Sequence, residues 1–182
     1  MSESDKYIIA GLGNPGQRYA FTRHNIGFIV LDELSQKLGA SFSDDKKFLI
    51  AKTSFETKTI FLLKPQEFMN LSGKAIATNA TKYKISSQKI LVIHDEVDFP
   101  FARIKVKFSG GHAGHNGLRD IIEKLGTNDF HRIRFGVGRP EKESPIDVSD
   151  FVLSNFSSEE KKELPKLIQN TTQMALEWLK TN

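Results

Sequence analysis

Hydrophobic positions along this chain switch between a strand period and a helix period, and the switches are regular. Tyr7–Leu12 is a short, almost unbroken apolar run that predicts a buried strand. Gly27, Phe28, Leu31, Leu34 and Leu38 then follow helical spacing, and Gly39 supplies a stop. Phe48–Phe55 and Thr59–Leu63 predict two strands joined at Glu56-Thr57-Lys58 as a hairpin. Leu71, Ala75, Ile76, Ala80 and Tyr83 line one side of a helix over Ser72–Tyr83. Ile90–Ile93 is wholly apolar, mostly β-branched, and predicts a central strand buried on both faces. Arg103–Phe108 alternates basic with apolar residues, which puts its basic side chains on one exposed face. A helix over Gly117–Leu125 and a strand over Ile133–Val137 follow, the strand ending at Gly138-Arg139-Pro140. The last segment, Ser157–Lys180, opens on the capping box Ser157-Ser-Glu-Glu160. Its buried stripe is Leu164, Leu167, Ile168, Thr171, Ala175, Trp178 and Leu179, and Pro165 predicts a kink or a detached first turn.

Strands alternating with helices predict an α/β fold: one domain over residues 1–182, a twisted mixed sheet with helices on both faces. Ligands of such sheets gather at the carboxyl ends of the strands, where residues 13–25, 65–71, 94–98 and 109–117 all fall.

Composition narrows the class. The chain has no cysteine, which excludes disulfides and thiol catalysis and suits a reducing cytoplasm. No stretch reaches the roughly 18 apolar residues of a membrane span, and the polar start has no signal-peptide pattern, so a soluble, unexported protein is expected. Residues 1–140 hold 21 Lys and Arg against 14 Asp and Glu, whereas residues 141–182 hold 5 against 8. The basic excess is densest from Arg103 to Arg139, eight against three, as a polyanion partner would need; a solvated face is the plainer explanation.

Four loops carry candidate chemistry. Gly11-Leu12-Gly13-Asn14-Pro15-Gly16 satisfies G-x-G-x-x-G, the pattern that seats a pyrophosphate on a helix N-terminus. Pro15, however, removes a backbone donor, and Gln17–Thr22 delays the helix, so a tight turn is the alternative. His24-Asn25, Phe68-Met69-Asn70 and His94-Asp95-Glu96 sit beside strand ends or helix starts, and Asn70 or Ser72 could simply cap a helix. Gly110–Gly117 holds four glycines, His112, His115 and Asn116, a composition typical of a binding loop. The spacing of His112 and His115 allows a metal, with no cysteine to support one. Together the loops offer a base (His24), a carboxylate (Asp95) and three carboxamides (Asn14, Asn70, Asn116). That set suits attack of water on an acyl bond with no covalent intermediate. A non-catalytic RNA-binding module and a dinucleotide-dependent enzyme are the other classes that fit.

These motifs, in order, resemble bacterial-type peptidyl-tRNA hydrolase over nearly the whole chain, through Phe130-His-Arg-Ile-Arg-Phe-Gly-Val-Gly-Arg-Pro140. The resemblance implies a cytoplasmic, monomeric enzyme that hydrolyses the ester between peptide and tRNA, recycling both, with no cofactor, metal, membrane or obligate protein partner. It implies that His24 is the general base, that Asp95 holds it, and that Asn14 distinguishes blocked from free aminoacyl groups. Tyr19, Phe68, Asn70 and Asn116 would line the tRNA acceptor end and the peptide, and Lys105, Lys107 and Arg134 would take the terminal phosphate. His112 and His115 would be loop residues, not metal ligands. Departures from the family pattern fall at Glu67, at Phe68 where a tyrosine is common, at Phe101 where a glycine is common, and in the short end after Trp178.

Overall fold

Tyr7–Ala10 is apolar at every position because its strand is covered on both sides. In the computed structural model, which describes residues 5–182, Tyr7 and Ile9 enter one core while Ile8 and Ala10 enter a second. The strands are β1 (Lys6–Gly11), β2 (Ser43–Asp44), β3 (Phe48–Phe55), β4 (Lys58–Pro65), β5 (Ile90–Glu96), β6 (Ile104–Phe108) and β7 (His131–Gly136). The helices are α1 (Ile26–Lys37), α2 (Ser72–Tyr83), α3 (Asn116–Leu125), α4 (Val148–Val152) and α5 (Ser158–Thr181). The strands form one sheet in the order β2-β3-β4-β1-β5-β7-β6. Its centre, β4-β1-β5-β7, is parallel, and both edges turn antiparallel. α1 and α5 close one face and α2 and α3 the other, the expected architecture. No helix among the described residues is long and apolar enough to cross a membrane.

The glycines of the G-x-G pattern have a packing purpose. A Cβ on Gly11 would lie 2.2 Å from the Gly27 carbonyl oxygen, and one on Gly27 would lie 2.3 Å from the Leu12 nitrogen. α1 therefore crosses the end of β1 with backbone against backbone, and this contact fixes where the turn before α1 is delivered. Gly16, at φ 107°, lets the chain reverse in that turn.

Four expectations change. β5 does not stop at Ile93: pairing with β7 runs through His94, Asp95 and Glu96, all buried, so the candidate carboxylate stands on a strand. On β6 Lys105 and Lys107 are exposed as expected, but Val106 and Phe108 are also 44% and 47% exposed. β6 is an edge strand that α5 only partly covers, and Phe108 leans on His131 at 4.7 Å. α5 runs unbroken through Pro165, so of the two outcomes expected there, a kink or a detached first turn, the detached turn is absent. The residue whose carbonyl loses its partner there, Lys161, is exposed like Pro165, so water can serve it. The hairpin turn is two residues, Glu56-Thr57, with Glu56 at φ 54° and Lys58 already paired.

Candidate active site

The carboxyl ends of β1, β4 and β5 and the loop after β6 converge on one rim. Thr22-Arg23-His24-Asn25 leads into α1 through a single 3-10 turn at Arg23–Asn25. Asn25 is buried and clamps Asn14 from both sides: the Asn14 N–H donates to Asn25 Oδ1 at 2.9 Å, and Asn25 Nδ2 donates to the Asn14 carbonyl at 2.9 Å. Asn14 Oδ1 accepts the Met69 N–H at 2.7 Å. That bond fixes the amide orientation, and among the described residues nothing accepts from Asn14 Nδ2, leaving a preset donor on the rim.

Asp95 is the hub. Its Oδ2 accepts from His24 Nδ1 at 2.7 Å and its Oδ1 from His115 Nε2 at 2.8 Å. His115 caps α3, its Nδ1 accepting the N–H groups of Gly117 and Leu118 at 3.1 and 3.3 Å. An accepting Nδ1 carries no proton, so the proton of His115 is on Nε2 and points at the carboxylate. Burial alone would raise the Asp95 pKa, but His24 and His115 and the bonds they donate hold it well below the usual carboxylate range. Burial likewise works against a proton on His24, yet the charge and hydrogen bond of Asp95 win and raise its pKa. With Nδ1–H on Asp95, the lone pair of His24 is on Nε2, which no described residue contacts by a hydrogen bond.

Two recesses meet at His24, which lines both together with Asn116, Ser149 and Val152. One, of 420 Å³, is basic: Lys107, Arg132, Arg134 and Arg139 line it with the glycine loop. The other, of 220 Å³, is lined by Asn14, Phe68, Met69, Asn70 and Asn116, with Ser149, Val152 and Leu153 of the α4 segment opposite. Arg23 pins that segment beside His24. Its guanidinium donates to Ser154 Oγ at 2.5 Å, to the Asn155 carbonyl at 2.9 Å and to Glu160 at 2.7 Å, and lies 4.1 Å over Phe151.

His24, Asp95 and His115 are also the cluster of described residues whose ligand atoms fall within 4.8 Å of one another. Here both ring nitrogens facing Asp95 donate protons, so a cation would have to displace two hydrogen bonds.

The chain matches the family described as peptidyl-tRNA hydrolase over residues 8–182. The chain belongs to the peptidyl-tRNA hydrolase family. It is 47% identical over 169 residues to the peptidyl-tRNA hydrolase of Geotalea daltonii, covering 92% of this chain and 86% of that protein. With that of Dichelobacter nodosus it shares 45% over 185 residues, covering 94% and 97%. The crystal structure of peptidyl-tRNA hydrolase from Acinetobacter baumannii superposes with a TM-score of 0.85 at 36% identity, covering 99% of this chain and 89% of that one.

In this member of the family, the fold brings together Asn14, His24, Phe68, Asn70, Asp95 and Asn116. Asn116 is the first residue of α3 and its Oδ1 accepts from Arg119 at 3.1 Å. Lys107 and Arg134 meet at the basic recess, whereas Lys105 stays exposed on β6 outside its lining, and Tyr19 lines neither recess. Tyr19 sits on the 3-10 turn Gln17–Tyr19 beneath the Arg18 guanidinium, 4.9 Å away. Arg134 is not a free cation: Glu96 Oε1 takes its Nε at 2.8 Å and its Nη2 at 2.7 Å, and it stacks 4.1 Å over Phe99. Phe101 turns its ring toward Phe156 at 6.1 Å.

Sequence reasoning missed three contributors. His115, expected as a loop residue, bonds Asp95. Arg132, counted only as part of a basic stretch, is buried and donates to the Gly110 and Gly111 carbonyls at 2.5 and 2.6 Å, tying the glycine loop to β7. α4, which walls the amide-lined recess, has too few residues to show a helical period, though Asp147 caps it as an Asp before a helix does.

Proposed function

We propose that the chain hydrolyses the ester of peptidyl-tRNA by direct attack of water, with His24 as general base and Asp95 holding it. The observation that supports this most is His24 itself: Nδ1 donates to a buried carboxylate while the opposite nitrogen opens between two recesses of different character. The basic recess suits the phosphate-bearing end of the tRNA, with Lys107 and Arg134 in reach and Lys105 on the approach. The amide-lined recess suits the peptide and the terminal nucleoside, with Phe68, Asn70 and Asn116 on its walls. Tyr19 adds a contact outside both.

In the reaction, water loses a proton to His24 Nε2 as its oxygen bonds the ester carbon, and the imidazolium that forms keeps its Nδ1–H on Asp95. The carbonyl oxygen gains negative charge opposite Asn14 Nδ2, whose direction is set before substrate arrives. The ester C–O bond then breaks and His24 returns the proton to the departing ribose oxygen, giving peptide and tRNA. The reading takes the chain as one domain over 1–182 acting as a cytoplasmic monomer; the absence of cysteine supports a reducing compartment.

Purified protein assayed on N-acetyl-aminoacyl-tRNA and on free aminoacyl-tRNA, with and without EDTA, tests the reading. The blocked substrate is expected to be cleaved and the free one spared, with no loss in EDTA. His24→Ala should lower kcat by about a hundredfold or more. A variant that keeps more than about a tenth of the wild-type rate refutes His24 as the base.

A further inference from the structure

Next to Asp95 on β5 stands a third imidazole for which the reaction so far has no use. His94 is 2% exposed, and its Nδ1 lies 2.8 Å from the main-chain carbonyl of Asp95. A carbonyl only accepts, so the His94 proton is on Nδ1 and its Nε2 is a lone pair, buried without a partner among the described residues. The ring also meets His115 edge to face, centroids 5.2 Å apart and planes at 73°. An apolar side chain of similar size would fill this space without an orphaned nitrogen. What it would lack is the donor to Asp95 and the edge against His115.

We propose that His94 is a positioning residue for hydrolysis, locking the Asp95 main chain and the His115 ring so that the carboxylate keeps one oxygen on His115 and one on His24. This rests on the reading of His24 as the base held by Asp95. The contacts run in an unbroken series: His94 to the Asp95 carbonyl and the His115 ring, His115 Nε2 to Asp95 Oδ1, and Asp95 Oδ2 to His24 Nδ1. Burial first, and then the neighbouring His115, push the His94 pKa down to about 3, so the ring is neutral while His24 takes up its proton. A neutral ring can hold this geometry without setting a second positive charge against the imidazolium that forms on His24.

The test is steady-state hydrolysis of N-acetyl-aminoacyl-tRNA by wild type, His94→Leu and His94→Asn, with His24→Ala and Asp95→Asn as references. Leu keeps the volume and loses both the donor and the ring edge; Asn keeps a donor near the place of Nδ1. His94→Leu is expected to lower kcat about tenfold, as a displaced catalytic group would. Its KM should stay within about twofold of wild type. The acid limb of kcat/KM should move to lower pH, because Asp95 then stabilises a proton on His24 less well, and His94→Asn should restore most of both losses. In an Asp95→Asn background, His94→Leu should change the residual rate by less than about twofold, there being no carboxylate to position. A His94→Leu enzyme with normal kcat and an unmoved acid limb overturns the proposal. So does a defect confined to KM, or an undiminished loss in the Asp95→Asn background. His94→Phe, which keeps the ring edge and loses only the donor, carries the same expectations if the Leu variant does not fold. An active His24→Ala would instead overturn the identity of the base, and that result is separate from anything His94 does.

Discussion

Asn25 and Asn14 hold one another through a reciprocal pair of hydrogen bonds, 2.9 Å each, between one side chain and the other's main chain. The consequence is that Asn14 is aimed by its neighbour in space, not by its own rotamer alone. Asn25→Ala should therefore lower kcat although Asn25 touches no recess, and should cost about 1–3 kcal/mol of stability by stranding two buried polar groups. Asn14→Asp separates aim from chemistry, since a carboxylate still accepts the Met69 N–H but offers no donor. A kcat loss of about a hundredfold is expected from a single missing donor to the oxyanion. Urea unfolding and hydrolysis of blocked aminoacyl-tRNA measure the two effects.

His24 and His94 are shifted by the protein in opposite directions. His24 must be neutral to accept a proton, and its pKa is raised above 6.5, so kcat/KM should climb with pH through a midpoint above 6.5. Asp95→Asn should shift that midpoint downward. His24 contributes stability that is fully present below pH 6.5 and is lost as pH rises through its raised value. Asp95 contributes stability present above pH 3.8 and lost as pH falls through its depressed value. His94, neutral and buried down to about pH 3, is the opposite of His24: below 6.5 the unfolded chain gains a proton that the folded chain refuses. Between pH 6.5 and about pH 3 this group alone therefore destabilises the fold progressively as pH falls. Urea midpoints at pH 7 and pH 5 should differ less in His94→Phe than in wild type.

Lys107 and Lys105 point to the same side of β6, yet only Lys107 lines the basic recess. Lys107→Ala should raise KM with kcat nearly unchanged and should flatten the dependence of log(kcat/KM) on log salt by about 0.7–0.9, one phosphate contact. Lys105→Ala should do less of both. Glu96→Gln should weaken substrate binding by releasing the guanidinium of Arg134 from its fixed orientation; a KM unchanged by this substitution would count against Arg134 as a phosphate contact.

Gly11 and Gly27 leave no room for a methyl group, so Gly11→Ala should destabilise the fold by about 3 kcal/mol. Gly27→Ala should act on the same contact, and the two losses should not add. Denaturant titration of the single and double variants measures both.

The chain's pattern carried the layers and the helix limits well, because burial on two faces writes an unbroken apolar run and α2 writes a full helical stripe. It placed Asn14, His24, Asp95 and Asn116 on one rim because polar side chains at strand ends converge there. What it could not carry were interactions that depend on which group meets which in space. His115 gives no sign in sequence of bonding Asp95, nor does Arg134 of being held by Glu96. The end of β5 was misplaced for a related reason: His-Asp-Glu looks like a loop by polarity, and only pairing with β7 keeps it extended. β6 shows the limit of alternation, which reports two faces without saying whether anything covers the apolar one.

The two recesses on either side of His24 bear on what happens after cleavage. On the proposed reading, cleavage leaves the peptide and the terminal nucleoside together in the amide-lined recess, while the phosphate-bearing part of the tRNA stays on the basic side. The tRNA is then gripped in both recesses and the peptide in only one. Deacylated tRNA should therefore slow turnover at lower concentration than free peptide does, and added salt should weaken the hold of the tRNA alone.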